Sequence, residues 1–223
     1  MSPDLRIKEV LSPWGYSVHY EERPKYLGSD LTILYLATKG GVRHYARRIS
    51  HPEQPDHYRR IAKIEDFTPR MARIIGPIED VVLSVEAPGE KLWEMEIRPD
   101  PEIVEAHLLQ FQRWAKAHDL VHGDLRPWNV FFDQHHAAQV IDLNLSAFVD
   151  DLLSRDNLPP RRVDLLTGHY AKCHPDLVAE RNYMEIDRCD ALRIGKLLRG
   201  EIGLSGAWPP GLVPLRRPSW CRP

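Results

Sequence analysis

Three polar side chains of different chemistry lie close together in one run of the chain. The run covers residues 120–132, LVHGDLRPWNVFF, where apolar residues flank a polar loop that carries Asp124, Arg126 and Asn129. A short apolar segment follows and ends in a second carboxylate, Asp142. Phosphoryl transfer uses this set: a carboxylate that orients a hydroxyl, a cation beside the moving phosphoryl group, and an amide and a carboxylate that hold Mg²⁺. The alternative is an ordinary polar turn in which Asp124 caps backbone N–H groups.

The same run resembles the catalytic loop of protein kinases, H-R-D-L-K-P-x-N, and residues 142–144, DLN, resemble their metal-binding D-F-G. The resemblance implies that Asp124 aligns an acceptor hydroxyl and that Arg126 replaces the usual Lys beside the γ-phosphate. It implies ATP and Mg²⁺ as cofactors, with Asn129 and Asp142 as metal ligands and nucleotide contacts. His122 is expected to support the loop by packing and hydrogen bonding.

Gly123 stands where kinases that are switched by phosphorylation carry an Arg. Glycine cannot pair with a phosphate, so we predict no phosphate-dependent ordering through this position. Residues 154–162 occupy the place of the activation segment. The Arg161-Arg162 pair in this segment and the Arg216-Arg217 pair near the C-terminus are predicted to be solvated surface. The alternative is that these pairs face an anionic acceptor. The chain resembles atypical, minimal kinases: the RIO and Bud32 families, the lipopolysaccharide-core kinases and small bacterial effector kinases.

The elements around this run predict an α+β chain, and the resemblance implies a bilobal protein-kinase-like fold. We expect a small antiparallel-sheet N-lobe over residues 1–85, a hinge at 86–90, a truncated helical C-lobe at 91–204 and an irregular tail at 205–223. Predicted strands cover residues 16–20, 31–37, 42–49, 71–75 and 81–85, with a hairpin turn at residues 39–41 and a helix from Asp56 to Glu65.

Two longer helices are predicted in the second half. The first follows Pro101 over residues 102–118 and would bury Ile103, Ala106, Leu109, Phe111 and Trp114. The second covers residues 187–199, with short helix and loop before it at 165–180. By resemblance, Asp190 on the second helix is a buried carboxylate that accepts backbone N–H bonds from the catalytic loop. The alternative is a surface aspartate.

The nucleotide-binding residues of the N-lobe depart most from the kinase pattern. Period-two alternation puts Arg48 on the face of Ala46, at the place of the ATP-clamping Lys, although Arg47 and Arg48 could also be exposed cations. The predicted acidic partner is Glu65, with Glu53 as second choice. The hinge residues Glu86 and Pro88 are expected beside adenine, where Pro88 lacks an N–H. A Gly-rich loop is missing from residues 26–30, and Lys25 or Lys39 could supply a cation there.

The bulk composition narrows the function classes. A net charge of −2 gives no general nucleic-acid footprint. The cysteines at 173, 189 and 221 have no metal-binding spacing and indicate reduced thiols, and neither a secretion signal nor a transmembrane run is visible, so we expect a cytoplasmic protein. The favoured hypothesis is an ATP-dependent phosphotransferase acting on a hydroxyl of a protein, sugar, lipid core or small molecule. The alternatives are a pseudokinase that serves as a binding or scaffold module, and an ATPase in a complex.

Overall fold

A computed structural model describes residues 3–20, 35–49, 54–154, 158–203 and 208. These residues form an α+β structure with an antiparallel sheet and seven α-helices. The chain divides into two compact units, Met1–Glu86 and Ala87–Pro223. None of the helices in the described part of the chain combines the length and the apolar character that a membrane crossing requires.

The first unit contains a five-stranded antiparallel sheet in the order β1-β2-β3-β5-β4. Its strands are β1 Ser17–Tyr20, β2 Tyr35–Lys39, β3 Val42–Arg48, β4 Ile74–Ile78 and β5 Val81–Val85. Gly40 and Gly41 connect β2 to β3 with φ angles of 57° and 79°, which confirms a hairpin turn within the predicted residues 39–41. The first residues of the predicted second strand, 31–34, lie outside the described residues.

Strand β4 differs from its prediction. It begins at Ile74, and Gly76 and Pro77, which were expected to separate two strands, lie inside it. The strand is at the edge of the sheet and its register shifts between Ile74 and Gly76. An edge position and a bulge both tolerate a proline that cannot donate a ladder hydrogen bond, which explains how Pro77 is accommodated.

Two helices accompany this sheet. Helix α1, Pro3–Leu11, was not predicted, although its residues Ile7, Val10 and Leu11 have helical spacing. These three side chains pack in one cluster with the sheet residues Ala37, Ala46, Val81 and Leu83. Helix α2 covers Gln54–Ala62, so it begins before Asp56, which lies in its first turn, and it ends before Glu65. An aspartate in the first turn interacts favourably with the helix dipole, and Asp56 also pairs with Arg59 at 2.5 Å.

The first helix of the second unit is α3, Pro101–Ala117. Asp100 caps it by accepting hydrogen bonds from the backbone N–H groups of Glu102 and Ile103 at 2.9 and 3.3 Å. The buried positions are Val104, Leu108, Phe111, Gln112 and Ala115. Of the five side chains predicted to be core only Phe111 is fully buried, and Ala106 is exposed. The apolar residues at 103–109 fit two overlapping helical stripes, and the stripe that contains Val104 and Leu108 is the one that packs into the core.

Short strands and turns hold the loops that follow α3. One small sheet joins β6 Glu90–Lys91, β8 Val130–Phe132 and β9 Ala138–Val140, and another pairs β7 Leu120–Val121 with β10 Ala147–Phe148. The remaining helices are α4 Val149–Ser154, α5 Pro160–Ala171, α6 Pro175–Ala179 and α7 Ile186–Arg199. Helix α7 packs against α3, as two predicted core helices should. Val121, Leu166, Tyr170 and Ile186 belong to one apolar cluster beneath the loop of residues 122–129.

Candidate active site

Asp124, Arg126 and Asn129 form one hydrogen-bonded group in the loop between β7 and β8. The Nη2 atom of Arg126 lies 2.7 Å from Oδ1 of Asp124. The Nδ2 atom of Asn129 donates to Oδ2 of Asp124 at 2.8 Å and to its backbone carbonyl at 2.9 Å. Both partners of this nitrogen can only accept, so the orientation of the amide follows from chemistry. Three of the residues predicted for the site are therefore in direct contact.

Asp142 follows β9 on the neighbouring segment. Its φ of 63° places it in the left-handed region, and its Oδ1 accepts a hydrogen bond from the N–H of Asn144 at 3.3 Å. The side chain is exposed. The N–H of Ile141 donates to the carbonyl of Asn129 at 2.9 Å, which ties the two predicted metal-binding segments together through the backbone.

His122 holds both segments from inside. It is fully buried, and its Nε2 lies 2.9 Å from the carbonyl oxygen of Ile141. Its Nδ1 accepts a hydrogen bond from the N–H of Asp124 at 3.2 Å. A proton on Nε2 and a lone pair on Nδ1 satisfy both contacts, so the ring supports the loop by packing and hydrogen bonding, in agreement with its predicted role.

The buried carboxylate that supports the loop is Asp187, and the prediction of Asp190 was wrong. Asp187 accepts hydrogen bonds from the N–H groups of His122 at 2.7 Å and Gly123 at 2.9 Å. Asp190 instead contacts Nε2 of His174 at 2.9 Å and Arg193 at 3.1 Å. The two aspartates lie about one turn apart on α7, so they share a face and the spacing alone cannot choose between them. Burial raises the pKa of Asp187 above its usual range, although the neighbouring His122 ring and the two backbone hydrogen bonds oppose that rise.

Helix α5 places two residues near the site, His169 and Arg162, whose contacts there the sequence did not predict. The Nε2 atom of His169 lies 3.2 Å from Oδ1 of Asp124 and 3.0 Å from Nη2 of Arg126. Arg162 was expected to be solvated, but it is buried and its Nη2 donates to the carbonyl of Asn144 at 2.7 Å. No local motif marks either residue, because each contact joins segments that are distant in the sequence.

Tyr170 explains why residue 123 is glycine. Its ring lies so close to Gly123 that a Cβ atom there would clash with Cε1, and Gly123 also has a φ of +71°. The hydroxyl of Tyr170 donates to the carbonyl of Leu145 at 2.5 Å. Burial, with a smaller contribution from the charge of Asp187, raises the pKa of Tyr170 well above its ordinary value, so the phenol remains a donor.

In the first unit, the cation predicted for ATP has a different partner from the expected one. Arg48 is 57% exposed and its Nε lies 3.0 Å from Oδ2 of Asp80, which Arg6 of α1 also binds at 3.0 Å. Glu65 lies beyond the end of α2 and is exposed, so the expected pairing of Arg48 with a helix glutamate is not formed. Glu53, Lys25 and residues 26–30 lie outside the described residues.

The cation directed towards α2 is Arg47. Its guanidinium lies 5.4 Å from the ring centroid of Tyr58 on α2, and its Nη2 donates to the hydroxyl of the same residue. Because successive side chains alternate between the faces of β3, this leaves Arg48 on the side of Ala46. That side is covered by α1, which packs on Ala46.

Of the two predicted hinge residues, Glu86 has a clear structural role. The N–H of Glu86 donates to the carbonyl of Arg43 at 3.1 Å, which extends the pairing of β3 with β5. Its carboxylate accepts from Arg43 at 2.5 Å and from the hydroxyl of Tyr45 at 3.1 Å. Pro88 is exposed. The N–H of Glu86 is therefore already used, and its predicted adenine contact would have to come from its carbonyl group.

No protein-family model matches the chain, and no curated protein is significantly similar to it. Among the described residues, no group of three or more His, Cys, Asp or Glu side chains is arranged to hold a metal ion.

Proposed function

We propose that this protein is an ATP- and Mg²⁺-dependent phosphotransferase with a bilobal protein-kinase-like fold, acting on a hydroxyl of a protein, sugar or small molecule. One observation carries the proposal: Asp124 lies in direct contact with both Arg126 and Asn129. A carboxylate that holds a guanidinium on one oxygen and an amide on the other combines the hydroxyl-orienting, charge-neutralising and metal-holding groups of phosphoryl transfer in one loop.

In the proposed reaction, the Asp124 carboxylate accepts a hydrogen bond from the acceptor hydroxyl and aligns it with the γ-phosphorus. The hydroxyl oxygen forms the new O–P bond while the bond from phosphorus to the bridging β,γ-oxygen breaks, and ADP leaves with that electron pair. The hydroxyl proton passes to Asp124 or to a phosphate oxygen, because a loose transition state needs little deprotonation before bond formation. Arg126 supplies a fixed positive charge beside Asp124.

The donor set fits Mg²⁺. The Nδ2 of Asn129 is held by Asp124, so its Oδ1 is the atom that would serve as a ligand, and the exposed carboxylate of Asp142 would supply a second oxygen. Mg²⁺ prefers oxygen ligands and usually completes its shell with water and phosphate oxygens, so two protein ligands are sufficient. When bound, the ion would neutralise phosphate charge and orient the leaving group.

The second candidate is a pseudokinase that binds a partner or a nucleotide without transfer. The ion pair of Arg48 with Asp80 favours it, because that cation already has a carboxylate partner. The absence of a Gly-rich motif from residues 26–30 points the same way. An ATPase that works in a complex is the third candidate, since it needs the same loop but no organic acceptor.

Incubation with Mg²⁺ and γ-labelled ATP separates these functions. The wild type is expected to label itself or a substrate in a cell lysate, and Asp142→Ala is expected to abolish labelling. Asp164→Asn, an exposed carboxylate on α5, is the matched control and should label normally. If neither the wild type nor Asp142→Ala produces label, the result supports the pseudokinase. Phosphate release without a labelled acceptor supports the ATPase. Fractions of the lysate that accept label would identify the acceptor as protein, sugar or lipid core.

A further inference from the structure

We infer that His169 is a positioning residue for phosphoryl transfer, which holds Asp124 and Arg126 in their working arrangement from helix α5. The inference rests on the proposed function, and it assigns a role to a residue outside the catalytic loop and outside the motif. Its basis is that a single imidazole nitrogen contacts both charged groups of the loop, at 3.2 Å from Asp124 and 3.0 Å from Arg126.

The hydrogen-bonding chemistry of the three groups makes this contact specific. A guanidinium only donates and an ionised carboxylate only accepts, whereas an imidazole nitrogen can do either. With the proton on Nδ1, the Nε2 of His169 accepts from Arg126, and with the proton on Nε2 it donates to Asp124. In both forms the ring completes the pair that Arg126 and Asp124 already make at 2.7 Å.

The arrangement also selects the oxygen that the acceptor can use. The Oδ1 atom of Asp124 faces Arg126 and His169, and Oδ2 receives one hydrogen bond from Asn129. A carboxylate oxygen offers two acceptor positions, so among the described residues Oδ2 retains the open one. We expect the acceptor hydroxyl to bind there, with His169 keeping the carboxylate from rotating.

Helix α5 can hold the imidazole in place because the same helix is anchored to the segment after Asp142 by a residue before His169 and a residue after it. Arg162 donates to the carbonyl of Asn144, and Tyr170 donates to the carbonyl of Leu145. Val163, Leu166 and Tyr170 are almost fully buried. A site residue is most precise when it lies on a packed element and its neighbours are locked, which is the situation of His169.

The test compares His169→Ala and His169→Gln with Gly168→Ala as control. Gly168 is the adjacent helical residue, and a Cβ there would meet nothing within 4 Å. We expect His169→Ala to lower kcat by about 100-fold, the size of effect that a misplaced catalytic group produces. The KM for ATP and the melting temperature should stay close to wild type, because the contact is with the hydroxyl-orienting carboxylate. Glutamine can both accept from Arg126 and donate to Asp124, so His169→Gln should regain most of kcat.

The outcomes separate this inference from the proposed function. If the wild type transfers phosphate and His169→Ala keeps its kcat, the inference is overturned and the proposed function stands. A fall in melting temperature that matches the loss of kcat in both His169 variants would also overturn it, because the role would then be structural. If the wild type transfers no phosphate to a protein, sugar or small molecule, the proposed function fails and the role of His169 fails with it.

Discussion

The loop around Asp124 carries charged residues predicted to be catalytic, and the end of strand β3 carries one predicted to bind ATP, but their environments are opposite. In the loop, Arg126 is buried and Asp124 nearly so, and their partners are fixed by short hydrogen bonds. At the end of β3, Arg48 is 57% exposed and its partner Asp80 also binds Arg6. A buried charge must be paired and hydrogen-bonded, whereas an exposed ion pair contributes little and can change partners. The loop is therefore built into the fold, and the ion pair of Arg48 is not.

Loss of Asp187 should have the largest effect, because it would break the support of the loop. Asp187→Ala leaves the buried N–H groups of His122 and Gly123 without their acceptor, and we expect the free energy of unfolding to fall by about 4 kcal/mol. Urea unfolding measures the loss. Amide exchange at His122 and Gly123 should accelerate in this variant but not in Asp190→Ala, and the reverse pattern would restore Asp190 as the supporting carboxylate.

Gly123→Ala should reduce the free energy of unfolding by nearly as much as Asp187→Ala. The new methyl group would collide with the ring of Tyr170, and the residue would keep a left-handed backbone, so we expect a loss of about 3 kcal/mol. Gly168→Ala is the matched control, and it should be neutral or stabilising by up to about 1 kcal/mol because a helical alanine has the better propensity. Thermal unfolding of both variants makes the comparison. Equal effects at the two positions would contradict the tight packing of Tyr170 on the loop.

Arg47 and Arg48, at the end of β3, give a similar contrast between a packed and an exposed cation inside the first unit. Arg47 lies against the ring of the buried Tyr58, so Arg47→Met should cost about 1 kcal/mol. Arg48→Met removes an exposed ion pair and should cost less than about 0.5 kcal/mol. If Arg48 clamps ATP, as the sequence predicts, Arg48→Met will weaken nucleotide binding without changing stability, which titration with ATP and Mg²⁺ measures. Unchanged binding in that variant, with weaker binding in Arg47→Met, would transfer the role to Arg47.

The sequence predicted the parts of this structure that depend on local patterns. The hairpin at Gly40 and Gly41, the helices α3 and α7 and the association of Asp124 with Asn129 all come from short-range spacing. The buried face of α3 was missed because two apolar stripes overlap along it, and packing decides between them.

The residues that surround the loop could not be predicted in this way. His169 reaches Asp124 across 45 positions of sequence, and His122 reaches Asp187 across 65. Such contacts depend on how α5 and α7 pack, and neither His169 nor Asp187 belongs to a motif that marks it in advance. The pairing of Arg48 with Asp80 could not be predicted either, because it lies on the side of β3 that the unpredicted helix α1 covers.

The smallest predicted effect is the pH dependence of the Asp80 ion pairs. It tests how little these pairs stabilise the end of β3. Partial burial opposes ionisation of Asp80, but hydrogen bonds from Arg6 and Arg48 and the charge of Arg6 outweigh it and lower its pKa below the ordinary value of 3.8. A lowered pKa stabilises the folded state above pH 3.8, and this contribution is lost as the pH falls through the folded-state value. Because the pairs are solvent-screened, we expect less than about 1 kcal/mol between wild type and Asp80→Asn in urea unfolding near neutral pH. That difference should shrink on acidification and in high salt, and a difference that grew in acid would contradict the lowered pKa of Asp80.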